Sequence, residues 1–345
     1  MYESFFGFTG KPFQLNPDPS FFFGSRGHKR AFAYLEYGLY QSEGFIVITG
    51  DVGAGKTTIV RSLLEQLDSA KVVAAQLVST QLEADDMLRA VGVAFGLPVK
   101  SVDKAILLAS LEAFLCQLAV DKRRALLIVD EAQNLAPRAV EELRMLSNFQ
   151  FGDKALLQSF LIGQPELRAM MQSTEMQQLR QRVIASYHLG PLDRAETRGY
   201  IEHRLKHVGW KDDPKFEPAC FDLIHDLTNG IPRRINTLCN RLLLAAFLAE
   251  KRNLDPTDVQ AIASEIREEL GPESPLSAIP IVGEGDAAGD GQRATRVDAS
   301  VWHTRFNQID ERIDRLERTV GGAVDLLHRL LHPEKATKPE KSAGR

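Results

Sequence analysis

At 345 residues, with 44% hydrophobic and 26% charged side chains, the chain lies in the ordinary globular range, and about 150 residues per domain predicts two to three domains. A net charge of -4 argues against a protein whose main task is coating nucleic acid. Cys116, Cys220 and Cys239 lie far apart with no CxxC pair, which excludes a disulfide framework, argues against a structural zinc site and fits a reducing compartment.

Residues 1–27 read as an irregular aromatic lead-in, broken by Gly and Pro and ending in Asn16-Pro17-Asp18-Pro19. It lacks the basic start and apolar run of a signal peptide. A helix is predicted over 28–41. Over 45–190, short apolar runs at 45–49, 72–77, 125–129, 156–162 and 184–189 alternate with helical patterns at 56–67, 83–95, 105–120, 137–149 and 177–182. Strands alternating with helices predict an α/β fold with a parallel sheet covered on both faces. After Leu192 the strands stop and four helices follow, over 194–208, 218–228, 232–250 and 256–270, with Gly230 placed as a C-cap. Residues 271–299 hold five Gly and three Pro and read as a flexible linker. No run reaches the roughly 18 apolar residues of a membrane span; the longest candidate, 238–248, is interrupted by Asn240 and Arg241.

The strongest chemical signal is Gly50-Asp51-Val52-Gly53-Ala54-Gly55-Lys56-Thr57, followed by Thr58, between the apolar run FIVIT and the helical pattern of 56–67. Glycines at this spacing let backbone N–H groups close around a triphosphate, and the helix N-terminus adds its positive dipole end. Lys56 neutralises the outer phosphates and the Thr57 hydroxyl reaches Mg²⁺. The second signal is Leu126–Val129 followed by Asp130 and Glu131, a buried strand ending in two acids at the edge where open α/β sheets bind ligands. Asp130 is the expected Mg²⁺ partner, through water, and Glu131 the group that polarises the attacking water. The predicted cofactors are ATP and Mg²⁺. One predicted strand lies between the two signals and two follow, which points to a five-stranded core.

The segments FGF, KPF and NPDPSFFF, with GDVGAGKTT, DEAQNL, LIGQPELR, LRQRV and GIPRRIN, resemble the AAA+ ATPases over about 10–270, within them the general secretion pathway protein A group, and most closely its exosortase-associated (XrtA or PEP-CTERM) members. The resemblance implies an N-terminal lead-in (1–27) lining the nucleotide pocket, a nucleotide-binding core (28–191) and a helical lid (192–270). It places Gln164 at sensor 1, where Asn, Ser or Thr is usual. Arg180 and Arg182 are the two candidates for an arginine finger acting on a neighbouring subunit. Arg233 falls at sensor 2, with Arg234 as its rival. His28 falls in the segment resembling the adenine pocket, but a histidine there is more often a helix cap or a packing residue than a base contact.

From Trp302 the apolar residues recur with alternating gaps of four and three. Phe306, Ile313, Val320 and Leu327 take heptad position a, and Trp302, Ile309, Leu316, Ala323 and Leu330 position d. Arg305 and Arg312 at g face Asp310 and Glu317 at e, which predicts a parallel coiled coil over 300–331; docking of this helix on the chain's own lid is the alternative. Residues 332–345 read as a disordered tail.

Three functions are weighed. The first is an ATPase that energises or regulates an envelope export, exopolysaccharide or protein-sorting system. It would be cytoplasmic or held at the inner membrane through a partner, and would form self-oligomers. The second is a DNA-associated regulator like those of transposition, the third a slow nucleotide-gated scaffold. Longer secretion ATPases of the group carry a membrane helix and a cell-wall-binding region; neither pattern is present in this sequence, which predicts no direct membrane insertion.

Overall fold

The structure is a computed structural model and describes residues 2–78, 83–99 and 103–270. The linker, heptad and tail readings, from 271 to 345, lie outside the described residues.

Five strands form one parallel sheet: β1 (Phe45–Gly50), β2 (Val72–Val78), β3 (Arg124–Asp130), β4 (Leu157–Gly163) and β5 (Val183–Leu189). Their order across the sheet is β2-β3-β4-β1-β5. β1, β3 and β4 are buried along nearly their whole length, as expected of apolar runs without alternation inside a doubly covered sheet. One face, with Ile46, Ile48, Ile128 and Phe160, packs on α2 (Arg26–Gln41) and α3 (Lys56–Gln66). The other, with Phe45, Val47, Leu127 and Leu161, is covered by α4 (Ala84–Ala94), α5 (Lys104–Val120), α6 (Pro137–Leu146), α7 (Pro165–Gln172) and α8 (Gln177–Arg180).

This order decides the site. β4 inserts between β1 and β3, so the segments following these strands stand side by side at one edge: the glycine-rich loop after β1, Gln164 after β4, and Asp130 with Glu131 at the end of β3.

A second core lies among α9 (Arg194–His207), α10 (Pro218–Thr228), α11 (Pro232–Leu248) and α12 (Pro256–Leu270). α9 opens with a capping box in which Asp193 Oδ1 accepts from the Glu196 N–H at 2.7 Å and the Asp193 N–H donates to Glu196 Oε2 at 3.3 Å.

Local structure departs from the sequence reading at several points. The lead-in is not wholly irregular: Tyr2–Phe6 forms a short helix, α1, whose Tyr2 and Phe6 are buried in the second core with Phe8 and Phe13. Tyr2 Oη donates to Asn240 Oδ1 at 2.8 Å. Tertiary burial of aromatic residues four apart, rather than helix propensity, explains it. Strands do not end at Leu192, because Lys215–Phe216 pairs in parallel with Asn253–Leu254. α10 is capped by Asn229, left-handed at φ 52°, ahead of Gly230; asparagine tolerates this conformation because its short side chain bonds locally. α7 is an additional helix, with Pro165 at its first position and Leu167 and Met171 buried on one face. α6 ends at Leu146, and Gln150–Phe151 pairs back on Lys154–Ala155 where the helix had been expected to continue.

Candidate functional site

The loop between β1 and α3 turns through two left-handed glycines, Gly53 at φ +83° and Gly55 at φ +100°. Both are also sterically required. A Cβ on Gly53 would lie 2.3 Å from Arg233 Cβ, and one on Gly55 would lie 2.6 Å from His28 Nε2. Gly55 is the N-cap of α3 and offers no side-chain acceptor, so the first-turn N–H groups of this helix have no side-chain cap. That arrangement suits an anion.

Lys56 is buried, and its Nζ donates to the Gly50 carbonyl at 2.7 Å and the Asp51 carbonyl at 3.0 Å. Burial pulls its pKa down, against the opposing charges of Glu131 and Asp130. Thr57 Oγ1 donates to Asp130 Oδ2 at 3.1 Å, and the other carboxylate oxygen accepts from the Glu131 N–H at 3.0 Å. Burial holds the Asp130 carboxyl above its usual range. A hydroxyl and a carboxylate in contact at the foot of an uncapped helix make an all-oxygen pair of the kind Mg²⁺ takes alongside phosphate oxygens and water. Among the described residues no cluster of three or more His, Cys, Asp or Glu could hold a metal alone.

Glu131 is itself left-handed at φ 53°. Its Oε2 accepts from Gln133 Nε2 at 2.6 Å and from Gln164 Nε2 at 3.1 Å. Burial works to raise its pKa, but these two bonds and the Lys56 charge outweigh it, and the carboxyl ends below its ordinary value. Gln133 was not singled out in the sequence.

A cavity of about 330 Å³ opens beside the loop. Lys56, Thr57, Thr58, Glu131 and Arg233 line one side of it, and Gln14 to Asp18, Phe21 to Phe23 and His28 another. Arg233 is exposed, and its backbone N–H at the start of α11 donates to the Gly53 carbonyl at 3.1 Å. Arg234 does not line the cavity.

His28 is buried. Its Nε2 donates to the Ala54 carbonyl at 3.0 Å, since a carbonyl can only accept, and in this neutral form the Ser25 hydroxyl donates to Nδ1 at 2.7 Å. Burial lowers its pKa. It therefore ties the N-terminus of α2 to the loop.

The deeper wall was not anticipated. Buried Arg204 donates through Nε to the Pro12 carbonyl at 2.6 Å, through Nη1 to Tyr200 Oη at 2.8 Å and through Nη2 to the Gln14 carbonyl at 3.3 Å. Tyr200 Oη donates on to Asn236 Oδ1 at 2.9 Å, and the guanidinium lies over the Phe21 ring at 4.7 Å.

Arg180 and Arg182 stand apart from this cavity. Arg180 Nη1 donates to the carbonyls of Met171 and Ser173, both at 2.6 Å, and Arg182 Nη1 to the Ser147 carbonyl at 3.1 Å.

The strand order, the uncapped loop helix and the acid pair define a P-loop protein of the AAA+ fold. A family model described as an AAA domain matches residues 39–171, and the chain has the AAA+ fold. Over 268 residues, 77% of its length, it is 40% identical to General secretion pathway protein A of Aeromonas hydrophila, and it spans about half of that relative, 48%. Solved structures share the fold at low identity. The Aeropyrum pernix ORC2 protein, in ADPNP-ADP complexes, has a TM-score of 0.56 at 20% identity, over 74% of this chain and 71% of that one. CDC6P from Pyrobaculum aerophilum has a TM-score of 0.55 at 17% identity, over 74% and 70%. Among the described residues no helix is long and apolar enough to cross a membrane.

Proposed function

We propose that this chain binds ATP with Mg²⁺ and hydrolyses it to ADP and phosphate. The observation that carries the reading is the line of groups across one sheet edge: Lys56 and Thr57 on the loop, Gln164 after β4, and Asp130 with Glu131 after β3. The N–H groups of Gly53 to Thr58 would cradle the phosphates, with Gly50, Asp51, Val52 and Ala54 completing the loop. Lys56 would exchange its carbonyl partners for phosphate oxygens. Thr57 and Asp130 would hold Mg²⁺, which when bound neutralises charge on the β- and γ-oxygens. Glu131, kept ionised by its two amide donors, would take the proton of the attacking water. Gln164 would orient that water, and Arg233 would reach the phosphates from the helical lid with the forked charge that suits them.

Arg180 or Arg182 would act on the nucleotide of a neighbouring subunit. Their position away from their own cavity supports this, and both would have to release carbonyls of their own subunit to do so. The heptads of 300–331 would add parallel self-association. Turnover would be coupled to an envelope export, exopolysaccharide or protein-sorting partner; the likeness to General secretion pathway protein A supports the secretion part of this reading.

The test is ATP binding and phosphate release by the full chain, with Lys56→Ala as control. Wild-type turnover with loss of binding in the variant is the expected result; wild-type protein that binds no ATP, or a Lys56→Ala variant that binds normally, would refute the proposal.

A further inference from the structure

Gln133 stands on the short turn Ala132–Asn134 that follows the left-handed Glu131. Its amide spans two elements. Nε2 donates to Glu131 Oε2 at 2.6 Å, while Oε1 accepts the backbone N–H of Gln164 at 3.0 Å. Gln164 returns a bond of its own, from Nε2 to the same Glu131 oxygen at 3.1 Å. The three residues thus close a ring across the ends of β3 and β4, through two side-chain bonds and the Gln164 backbone N–H. Glu131 Oε2 takes two donors, and Oε1 takes none among the described residues. The amide packs closely on the end of β4: a Cβ on Gly163 would lie 2.8 Å from Gln133 Oε1 and 2.8 Å from Leu167 Cδ2, so a larger residue there would press on both.

We propose that Gln133 is a positioning residue for ATP hydrolysis, which fixes Glu131 Oε2 so that Oε1 is the oxygen presented to the attacking water. The inference rests on the reading of Glu131 as the general base. A hydrogen bond that only braced the turn would need no carboxylate partner. Here the shortest bond of the ring goes to the group assigned the proton transfer, and the far end of the amide is anchored to the backbone N–H of Gln164. A carboxylate free to rotate would offer the wrong oxygen or the wrong lone pair for much of the time, and misplacement of a reacting group lowers the chemical step rather than ground-state binding.

The experiment uses the full chain and two substitutions of nearly unchanged size. Gln133→Met keeps the volume and removes both bonds. Gln133→Glu keeps the acceptor for the Gln164 N–H and sets a second carboxyl against Glu131, so that the two repel or share a proton and Glu131 no longer acts as a free base. Loss of one hydrogen bond to a charged group predicts that kcat falls about ten- to a hundredfold in both variants. Affinity for ATP with Mg²⁺ should stay within about twofold of wild type, because Gln133 does not line the cavity. A kcat within about twofold of wild type in Gln133→Met would overturn the proposal. So would a parallel loss of kcat, ATP affinity and thermal midpoint in both variants, which marks a structural brace. Failure of the parent reading looks different: wild-type protein itself would then show no turnover, or Glu131→Gln would turn over normally.

Discussion

Replacing Arg204 by methionine probes how the lead-in is held against the helical bundle. Arg204 is 6% exposed and has no carboxylate within salt-bridge range among the described residues, so its charge is balanced by acceptors and aromatic faces. Methionine of similar length leaves the Pro12 and Gln14 carbonyls without this donor and gives up the contact with the Phe21 ring at 4.7 Å. Each charge-assisted bond contributes about 1.5–3 kcal/mol and the ring contact about 0.5–2. Removing a buried cation also relieves several kcal/mol of desolvation. The net expectation is a loss of about 2–4 kcal/mol, read from urea unfolding. The loss should be local as well as global: amide exchange should accelerate in residues 2–18, and ATP affinity should fall because Gln14 to Asp18 wall the cavity. A destabilisation below about 1 kcal/mol with unchanged exchange in 2–18 would refute the reasoning.

Other substitutions separate neighbouring roles. Arg233→Ala should weaken ATP binding about tenfold or more while Arg234→Ala leaves it near wild type, by titration with ATP and Mg²⁺, since only the first lines the cavity. His28 is neutral in the fold, with its pKa below 6.5, so an unfolded chain takes up the proton first as pH falls through that value. Stability should therefore drop on acidification below about pH 6.5, down to the lower folded pKa, by at most about 1.4 kcal/mol per pH unit from this group. His188 and His203 shift the same way, also through burial. His28→Gln keeps a donor for the Ala54 carbonyl and should flatten the slope; an unchanged slope of urea midpoint against pH would count against it. Mixing Glu131→Gln with an Arg180→Ala or Arg182→Ala variant should restore part of the turnover if the finger acts between subunits, and no rescue with verified subunit exchange would exclude a shared site.

What could be read from the chain follows the reach of the interactions. The phosphate loop and the acid pair are local: glycines, lysine and threonine at fixed spacing, and an apolar strand ending in two carboxylates, carry their chemistry in a few consecutive residues. Five parallel strands were legible for the same reason. Their order was not, because nothing within β4 says that it inserts between β1 and β3; the place of Gln164 came from resemblance alone. Gln133 was quoted in the same motif as Glu131, yet its meaning depends on Gln164, 31 residues away, and on the missing Cβ of Gly163. The Arg204 wall joins groups 190 or more residues apart, and a lone arginine on a helix otherwise reads as a surface charge. α7 did carry a signal, a proline at its first position followed by Leu167 and Met171 four apart.

The central claim is that one pocket binds ATP through Lys56 and the loop and activates water through Glu131. Single-turnover and steady-state phosphate release by Glu131→Gln, with ATP binding measured on the same preparation, tests it most directly. The account predicts ATP affinity within a few-fold of wild type, because Glu131 bears on the water and not on the phosphates, together with a loss of turnover of about a hundredfold or more. Turnover at the wild-type rate in a variant that still binds ATP would contradict it.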